Sequence, residues 1–163
     1  MVLEPQKGKD RILMFRKKGD KTAAAKLALQ TEHKWEYERK TDSTKTKDGA
    51  ISAAGGLEVT LSIEAVASRD ELNNMLKNSV IEGYELEVWD IDLKGEKQGA
   101  KYPALYAIGK LSKWEVPANV EDLITLQTEM AIDGKPVPGY ATLTADQEAE
   151  VLYAFTDTTA ITG

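Results

Sequence analysis

Strict alternation of apolar and polar side chains marks the stretch Leu57-Glu58-Val59-Thr60-Leu61-Ser62-Ile63-Glu64-Ala65. The apolar side chains occupy the odd positions and the polar side chains the even positions. Successive side chains of a β-strand point to opposite faces of its sheet, so this period of two predicts a strand with one buried face and one polar face. The sequence therefore predicts a fold that is built on β-sheet.

Other stretches extend the β prediction along the chain. Val120 to Ile132 alternates in a similar way. Tyr102 to Trp114 is apolar at both parities, which is typical of a strand that is covered on two sides or lies in an intersubunit contact. Tyr84 to Leu93 changes phase between Val88 and Trp89, and a β-bulge there would reconcile its two halves. Shorter strand candidates in the N-terminal third are Ile12 to Arg16, Ala25 to Gln30 and Lys34 to Arg39.

One helix is predicted between the strands. Ser68 and Glu71 form a capping box, which satisfies free backbone N–H groups at the start of a helix. Gly83 can adopt the left-handed conformation that ends one. A single apolar stripe at helical spacing lies between these signals, formed by Leu72, Met75, Leu76 and Val80. We expect this helix to lie across a sheet with its other side in water.

A long polar stretch, Lys40 to Gly56, lies between two predicted strands and holds almost no large apolar side chain. It is too long for a tight hairpin turn, and loops of this length in a compact domain are usually functional or disordered. A disordered tip is one interpretation. The other is an arm that becomes ordered against a neighbouring copy of the chain, with the candidate contact residues Lys40, Thr41, Asp42, Ser43, Thr44, Lys45, Thr46, Lys47, Asp48 and Gly49.

The 163 residues fit a single domain, 1–163, which at this length can bury its own core. The chain has no cysteine, which excludes disulfides, thiolate metal sites and cysteine nucleophiles. Its N-terminal residues mix charged side chains into a short apolar run, unlike a signal peptide, and no segment approaches the length of a membrane span. We therefore expect a protein that folds inside the cell and does not act at a membrane.

Charge is distributed unevenly along the chain, whose formal net charge is −6. Residues 1–50 hold 13 Lys and Arg against 8 Asp and Glu, a balance of +5, so the remaining residues hold 8 against 19 and carry −11. Solvated surfaces alone would explain this asymmetry. The alternative is that unlike surfaces meet between copies, while the acidic part repels nucleic acid.

Few residues are arranged for catalysis. His33 is the only histidine, and it lies in a polar stretch that favours a position on the surface. The chain has no phosphate-binding glycine loop, no nucleophile elbow and no zinc-ligand spacing. The sequence thus predicts no catalytic residue, no cofactor and no metal site.

Two further groups of residues have ordinary structural explanations. A row of carboxylates could gather a divalent cation or act as a glycosidase pair, but the wet face of a strand accounts for it better. The row comprises Glu85, Glu87, Asp90 and Asp92. Tryptophans could stack on bases or sugars, although packing in a core or interface is their commoner use in strands. The chain has Trp35, Trp89 and Trp114.

Several short motifs follow one another along nearly the whole chain. They are Gly8-Lys9-Asp10, Leu29-Gln30-Thr31-Glu32-His33, Thr41-Asp42-Ser43, Leu57-Glu58-Val59-Thr60, Leu86-Glu87-Val88-Trp89-Asp90-Ile91-Asp92 and Gly139-Tyr140-Ala141-Thr142-Leu143-Thr144. In order and spacing they resemble the major tail protein family of lactococcal-type long-tailed, non-contractile phages. No single motif is diagnostic, because none carries chemistry, and the resemblance rests on the run of motifs in register.

The resemblance implies a mainly β, tail-tube fold: two antiparallel sheets packed as a β-sandwich, one flanking helix at about 69–82 and a long loop at about 40–56. It implies a structural virion protein of the phage tail, made and assembled in the cytoplasm of the host bacterium. Copies of the chain would form six-membered rings that stack into a tube, and DNA would pass through the lumen without specific binding. The expected partners are other copies of the chain and the tape measure, tail terminator and distal tail proteins.

Four outward acidic residues are candidates for the lining of such a tube: Glu58, Glu64, Glu121 and Glu129. Like charge on the lining would keep passing DNA from binding. An ordinary solvated strand face is the alternative for each of these residues.

Two other functions stay open at this point. One is another ring-forming protein of the same fold, such as a tail terminator or the tube of an injection system. The other is a β-sandwich module that binds carbohydrate or protein through its tryptophans. An enzyme that uses the carboxylate row has the least support, because nothing in the sequence tunes the pKa of these groups in a recognisable way.

Overall fold

The computed structural model describes residues 8–27, 29–46, 49–67, 69–118, 120, 123–144 and 147. For residues 9, 40–46 and 49–55 it describes the backbone alone. After a 3-10 turn at Gly8–Asp10, the elements are β1 (Arg11–Lys17), β2 (Ala25–Lys26), β3 (Gln30–Thr46), β4 (Gly49–Val66), α1 (Glu71–Glu82), β5 (Leu86–Asp92), β6 (Tyr102–Glu115), β7 (Thr125–Ile132) and β8 (Val137–Ala141).

All paired strands are antiparallel, in the order β2-β1-β5-β6-β7-β4-β3, and β8 pairs with β6 beside this path. The prediction of a mainly antiparallel β fold with one flanking helix is confirmed. Two separate sheets were expected, but backbone hydrogen bonds join all the described strands into one continuous sheet. The long strand β6 makes this possible: it pairs with β5 over its first half and with β7 over its second half.

The sheet curls until its two ends meet along a line between β1 and β3, which we call the seam. Gln30, at the start of β3, spans the seam with its side-chain amide. Its Oε1 accepts a hydrogen bond from the N–H of Leu13 at 3.0 Å, and its Nε2 donates to the carbonyls of Leu13 and Leu27 at 3.0 and 2.8 Å. The amide thus satisfies backbone groups that a ladder partner would otherwise satisfy.

A buried apolar core fills the inside of the curled sheet. Four of the five odd positions of β4 that were predicted to be buried lie in this core, since Val59, Leu61, Ile63 and Ala65 are each at most 3% exposed. Leu57, at the start of the alternating stretch, is only half-buried. The even positions between them are on the outer face. The alternation in the sequence therefore predicted both the strand and its orientation.

Strand β5 is an inner strand of the sheet, between β1 and β6, and is covered on both faces. Leu86 and Val88 belong to the main core, whereas Ile91 belongs to a second apolar cluster with Met14 and Tyr102. The pairing of β5 with β1 and with β6 runs without a register shift. The predicted bulge is therefore wrong: the change of phase arises because both faces of this strand are buried.

The predicted helix is confirmed as α1, with a different residue at its start. The N-cap is Asp70, whose carboxylate accepts a hydrogen bond from the backbone N–H of Asn73 at 2.7 Å, and Ser68 lies outside the described residues. Gly83 ends the helix at a φ of 77°, where a side chain would be strained. The apolar stripe lies on the core, with Leu76 only 1% exposed.

The predicted loop at about 40–56 is wrong as a secondary-structure assignment, because residues 40–46 and 49–56 continue β3 and β4 as a long hairpin. Threonine and isoleucine in this stretch favour extended backbone. The two strands pair each other's backbone N–H and carbonyl groups. The hairpin can therefore form its backbone hydrogen bonds without burying an apolar face. Apolar periodicity, which is the main sequence signal for a strand, is therefore absent here.

Replacing Leu76 by alanine should lower the free energy of unfolding by about 2 to 4 kcal/mol, because it removes buried methyl groups and leaves a cavity under α1. Chemical denaturation of the dilute subunit measures this. Ile81→Ala is the matched control, since Ile81 is on the same helix but 69% exposed, and it should change stability by less than about 0.5 kcal/mol. Equal effects of the two substitutions would show that the stripe is not core.

Candidate assembly surfaces

The far part of the β3–β4 hairpin, residues 40–56, forms a two-stranded ribbon that we call the arm. Six residue pairs join its strands, from Thr41 with Ala54 to Thr46 with Gly49. Strand β7 pairs with β4 only from Val59 to Val66, so in the described part of the chain no third strand extends along the arm. Its paired length is roughly 20 Å. A two-stranded ribbon is marginally stable in water by itself, so the arm gains most from packing against something else.

The outer surface of strands β3, β4, β7 and β6 forms one continuous polar face, which we call the acidic face. Cross-strand partners show that its residues share one side of the sheet. Seven carboxylates lie against three lysines on it, namely Glu32, Glu36, Glu38, Glu58, Glu64, Glu115 and Glu129 with Lys34, Lys110 and Lys113. Lys113 is shared between two of the carboxylates, at 3.6 Å from Glu129 and 3.7 Å from Glu115.

Two pairs of like charges stand directly opposite each other on the acidic face. Glu32 is the cross-strand partner of Glu64, and Glu38 is the partner of Glu58. Directly opposed like charges destabilise an antiparallel pair. The fold therefore retains an arrangement that lowers its own stability, which is the pattern expected of a surface kept for another purpose.

Three of the four predicted lining residues lie together on this face. Glu58 and Glu64 are on β4, and Glu129 is on the neighbouring strand β7, opposite Ser62. Glu121 lies outside the described residues, as do Lys47 and Asp48 of the predicted contact segment.

The acidic residues of β3 were not among the predicted lining residues. In Glu32-His33-Lys34-Trp35-Glu36-Tyr37-Glu38, charged and aromatic side chains alternate with a period of two. That alternation is itself the signal of a strand with one charged face, and it could have extended the lining candidates to this strand.

A buried polar cluster holds the seam next to these surfaces. The carboxylate of Asp90, on β5, is fully buried. Its Oδ1 accepts a hydrogen bond from Nε of Arg11 at 3.1 Å, and its Oδ2 accepts one from Nε1 of Trp35 at 2.6 Å and lies 3.1 Å from Nε2 of His33. Arg11 is on β1, while Trp35 and His33 are on β3. Asp90 therefore ties β5 to both sides of the seam.

Two sequence interpretations are corrected by this cluster. Asp90 does not lie on a wet strand face, and His33 is not a surface residue, since its side chain is only 12% exposed. Asp90 shares the parity of the core residues Leu86 and Val88, and donors from two other strands make its burial possible. The three tryptophans pack against the apolar clusters, as the sequence favoured.

The other carboxylates of the predicted row also have cationic or donor partners. Glu87 accepts a hydrogen bond from Nε of Arg16 at 2.6 Å and one from the hydroxyl of Tyr106 at 2.7 Å. Burial and the hydrogen bond to Glu87 raise the pKa of Tyr106 to about 12. Glu85 pairs with Lys18 at 3.0 Å. The row is thus a set of local ion pairs on two faces of the sheet.

The pKa of Asp90 results from opposed effects. Burial raises it, but the hydrogen bond and charge of His33, the indole N–H of Trp35 and the charge of Arg11 together outweigh burial and hold the pKa below its ordinary value. The carboxylate is therefore ionised at neutral pH. Within the described ranges, no group of three or more histidine, cysteine and acidic side chains could hold a metal ion, and no helix there is long and apolar enough to cross a membrane.

Residues 5–138 match the phage tail tube protein family. The chain belongs to this family. A protein of Staphylococcus phage phiMR25 that is assigned to the phage tail is 30% identical over an alignment of 164 positions, which covers 94% of this chain and 85% of that relative. The resemblance found in the sequence is thereby confirmed.

Solved structures share the tail tube fold at much lower identity. The tail tube of SPP1 has a TM-score of 0.77 at 18% identity, covering 98% of this chain and 95% of that one. The tail of a gene transfer agent particle, refined with C6 symmetry, gives 0.64 at 12%, covering 85% of this chain and 100% of that one. The sheath–tube complex of the extracellular contractile injection system PVC gives 0.61 at 10%, covering 86% and 95%.

Membership of the tail tube family defines the class of function. The protein is a structural component of the phage tail and not an enzyme, as the sequence predicted. The carboxylates of the row form ion pairs, and the tryptophans pack against the core. Neither group is arranged as an active site or a sugar-binding surface in the described part of the chain.

Replacing Asp90 by asparagine should lower the free energy of unfolding by roughly 2 to 4 kcal/mol, because it leaves the half-buried Arg11 beside a neutral group and disrupts the cluster at the seam. Asp92→Asn is the matched control on the same strand. The side chain of Asp92 is 28% exposed, so its removal should cost less than about 1 kcal/mol. Chemical denaturation at neutral pH compares the two variants.

A comparison of wild type with Asp90→Asn at several pH values tests the charge of Asp90. Its pKa in the folded state lies below the ordinary value of 3.8, so its contribution to stability is present above that pH and is lost as the pH falls through the folded-state pKa. The stability difference between wild type and Asp90→Asn should therefore shrink below about pH 4. A difference that stays constant down to the acid transition would contradict an ionised Asp90.

Proposed function

We propose that six copies of this chain form a ring, that rings stack into the tail tube, and that the acidic face lines the bore through which DNA passes from capsid to host. The family and the fold support this proposal, since similar folds are found in assembled tail tubes, one of them refined with C6 symmetry. A ring also covers strand edges that the subunit leaves unpaired, such as that of β8, which among the described strands pairs only with β6.

The observation that carries the proposal is the acidic face. DNA is a polyanion, and a lining that bound phosphate would hold the genome in the tube. Seven carboxylates against three lysines repel DNA whatever its base sequence. The two opposed glutamate pairs support the proposal, since like charges directly opposite each other are expected on a face that is kept for its charge. On this basis Glu58, Glu64 and Glu129 face the lumen, together with Glu121 as a fourth lining residue.

The arm has a separate role, in contact with a neighbouring copy. In the described part of the chain it has no third strand, so its polar ribbon has little of its own subunit to pack against. Lys40 to Gly49, on its outgoing strand and turn, are the proposed contact residues.

The other proposed partners act inside the tube or at its two ends. The tape measure, tail terminator and distal tail proteins would meet the lumen and the two ends of the stack. Assembly would take place in the cytoplasm of the host bacterium, where the copies are made.

Replacing Glu32 and Glu64 by lysine should leave tube formation intact but slow DNA ejection, because the lysines attract phosphate from inside the bore. For two lysine contacts this attraction weakens roughly tenfold between about 50 and 200 mM salt, so the slowing should be greatest at low salt. Ejection from phage carrying the variant is measured at both salt concentrations, with electron microscopy of the tails.

Charge reversal away from the acidic face is the control for this experiment. Glu71→Lys with Glu82→Lys changes the net charge by the same amount on exposed positions of α1. This variant should eject DNA at the wild-type rate. Equal ejection by both variants, with intact tubes, would place another surface in the bore.

Deleting residues 41–54 and joining the ends with a short Gly/Ser linker should leave a folded subunit that forms no tubes. The deletion removes only the ribbon beyond the last pairing with β7, so the thermal midpoint should stay close to that of wild type. Circular dichroism and electron microscopy measure the two properties. Tubes of normal length from the deletion variant would show that the arm is dispensable.

A further inference from the structure

A cavity of about 520 Å³ opens at the seam. This volume lies in the range of about 300 to 1,000 Å³ that is typical of binding sites for small groups. The wall of the cavity comes from β1 and β3, on the two sides of the seam, and from β5. It includes Arg11, Ile12, Gln30, His33, Trp35 and Asp90. The groups that hold the seam together therefore also line this cavity.

The edges of the two apolar clusters meet in the cavity. Trp35 packs against the main core and Ile12 packs against the second cluster, and each of the two side chains is only partly buried. Apolar surface that stays in contact with water gains stability when another apolar group covers it. An occupant of the cavity therefore needs apolar side chains of its own.

The charges around the cavity restrict its occupant further. The buried carboxylate of Asp90 already has Arg11, Trp35 and His33 as partners, so it requires no additional cation. Nearer the solvent, the wall has one basic side chain, that of Arg11, which is 25% exposed, and one acidic side chain, that of the exposed Glu32. A short peptide segment with apolar side chains and one charge of each sign fits such a wall.

The described chain starts at this cavity. Gly8 is part of the wall, and the 3-10 turn Gly8–Asp10 is held in place where the carbonyl of Asp10 accepts a hydrogen bond from the N–H of Leu93 at 2.8 Å. Residues 1–7, which lie outside the described residues, precede this turn directly. The cavity is thus next to a segment of the same chain that the structure does not place.

The sequence of residues 1–7 has the properties that the cavity requires. It reads Met-Val-Leu-Glu-Pro-Gln-Lys, with apolar side chains at Val2 and Leu3, one acid at Glu4 and one base at Lys7. Pro5 favours an extended backbone at the residue before it. Five extended residues reach about 17 Å, which exceeds the width of roughly 10 Å that the cavity volume implies, so Leu3 can enter the cavity from a chain held at Gly8.

We propose that residues 1–7 form a strap across the seam of their own subunit, with Val2 and Leu3 in the cavity and Glu4 beside Arg11. The strap covers the partly buried edges of the two apolar clusters. It joins β1 to β3 in addition to the hydrogen bonds of Gln30. This inference goes beyond the proposed function: the strap completes the wall of a single subunit, so it forms in the free subunit as well as in a tube.

A disulfide tests the position of the strap, because the chain has no cysteine of its own. Leu3→Cys is combined with Thr31→Cys, an exposed position in the wall of the cavity, and the dilute subunit is oxidised. We expect a disulfide within one subunit, which mass spectrometry detects as the loss of two hydrogens from the monomer. Oxidised monomer in which both thiols persist would overturn the proposal.

The matched control combines Leu3→Cys with Lys94→Cys. Lys94 is exposed and follows Leu93, the partner of Asp10, so an unattached segment can reach it, but it is not part of the wall of the cavity. We expect this pair to form a disulfide at least about tenfold more slowly than the pair at Thr31, which corresponds to a clear preference for the cavity. Equal rates for the two pairs would show that the segment has no fixed position and would contradict the strap.

Leu3→Ser provides a second test that does not depend on a cross-link. It should lower the thermal midpoint of the dilute subunit by at least about 4 °C, because an apolar contact in the cavity is lost. Gln6→Ser is the control in the same segment and should leave the midpoint within about 1 °C of wild type. A midpoint that is unchanged in Leu3→Ser would place Leu3 outside the cavity.

These outcomes are independent of the proposed function. All of the measurements use the dilute subunit, so a negative result removes the strap and leaves the ring, the tube and the acidic face as they were. A disulfide between Leu3→Cys and Thr31→Cys that forms only between the subunits of a tube, and never within the monomer, would assign the cavity to a neighbouring copy and overturn the strap.

Discussion

The buried carboxylate of Asp90 is the interaction on which the rest of the subunit depends. It is on the inner strand β5, and it is reached by Arg11 from β1 and by Trp35 and His33 from β3, the two strands at the seam. Removing any one partner would leave a charge or a donor unsatisfied in a low-dielectric interior, where the penalty is large. Strand β3 carries both the acidic face and the arm, so the position of both surfaces relative to the core is fixed through this group.

On the strands of the acidic face, the inward side chains form the core and the outward side chains form the charged surface. On β4 the inward side chains are apolar and almost completely buried, while the outward side chains include Glu58 and Glu64, each opposite another glutamate. Cross-strand repulsion weakens the outer side, and the packed inner side offsets it. The period of two makes this division possible, because a change on one face leaves the other face untouched.

Sequence patterns predicted the elements that bury one regular face. The alternation in Leu57 to Ala65 and the stripe of α1 were sufficient for β4 and for the helix, because burial imposes the period. The arm was not predicted as strand, since its backbone groups satisfy one another without an apolar face. Asp90 and Gln30 were missed for a different reason: their partners are up to 79 residues away in sequence, and only the curl of the sheet brings them together. The acidic face was predicted in part, at Glu58, Glu64 and Glu129, and its β3 residues could have been included from their own alternation.

The bridge made by Gln30 has a mechanical consequence. Paired strands in a ladder are held at a spacing of about 4.8 Å, and changing it breaks backbone hydrogen bonds. At the seam the two edges are joined by side chains, whose torsions can lengthen or shorten the bridge with every ladder pair intact. The seam is therefore a line in the wall of the subunit where the spacing depends on side-chain torsions, those of Gln30 and of the partners of Asp90. A tube made of such subunits can bend by small changes of width at these lines, and the rest of each sheet can stay rigid.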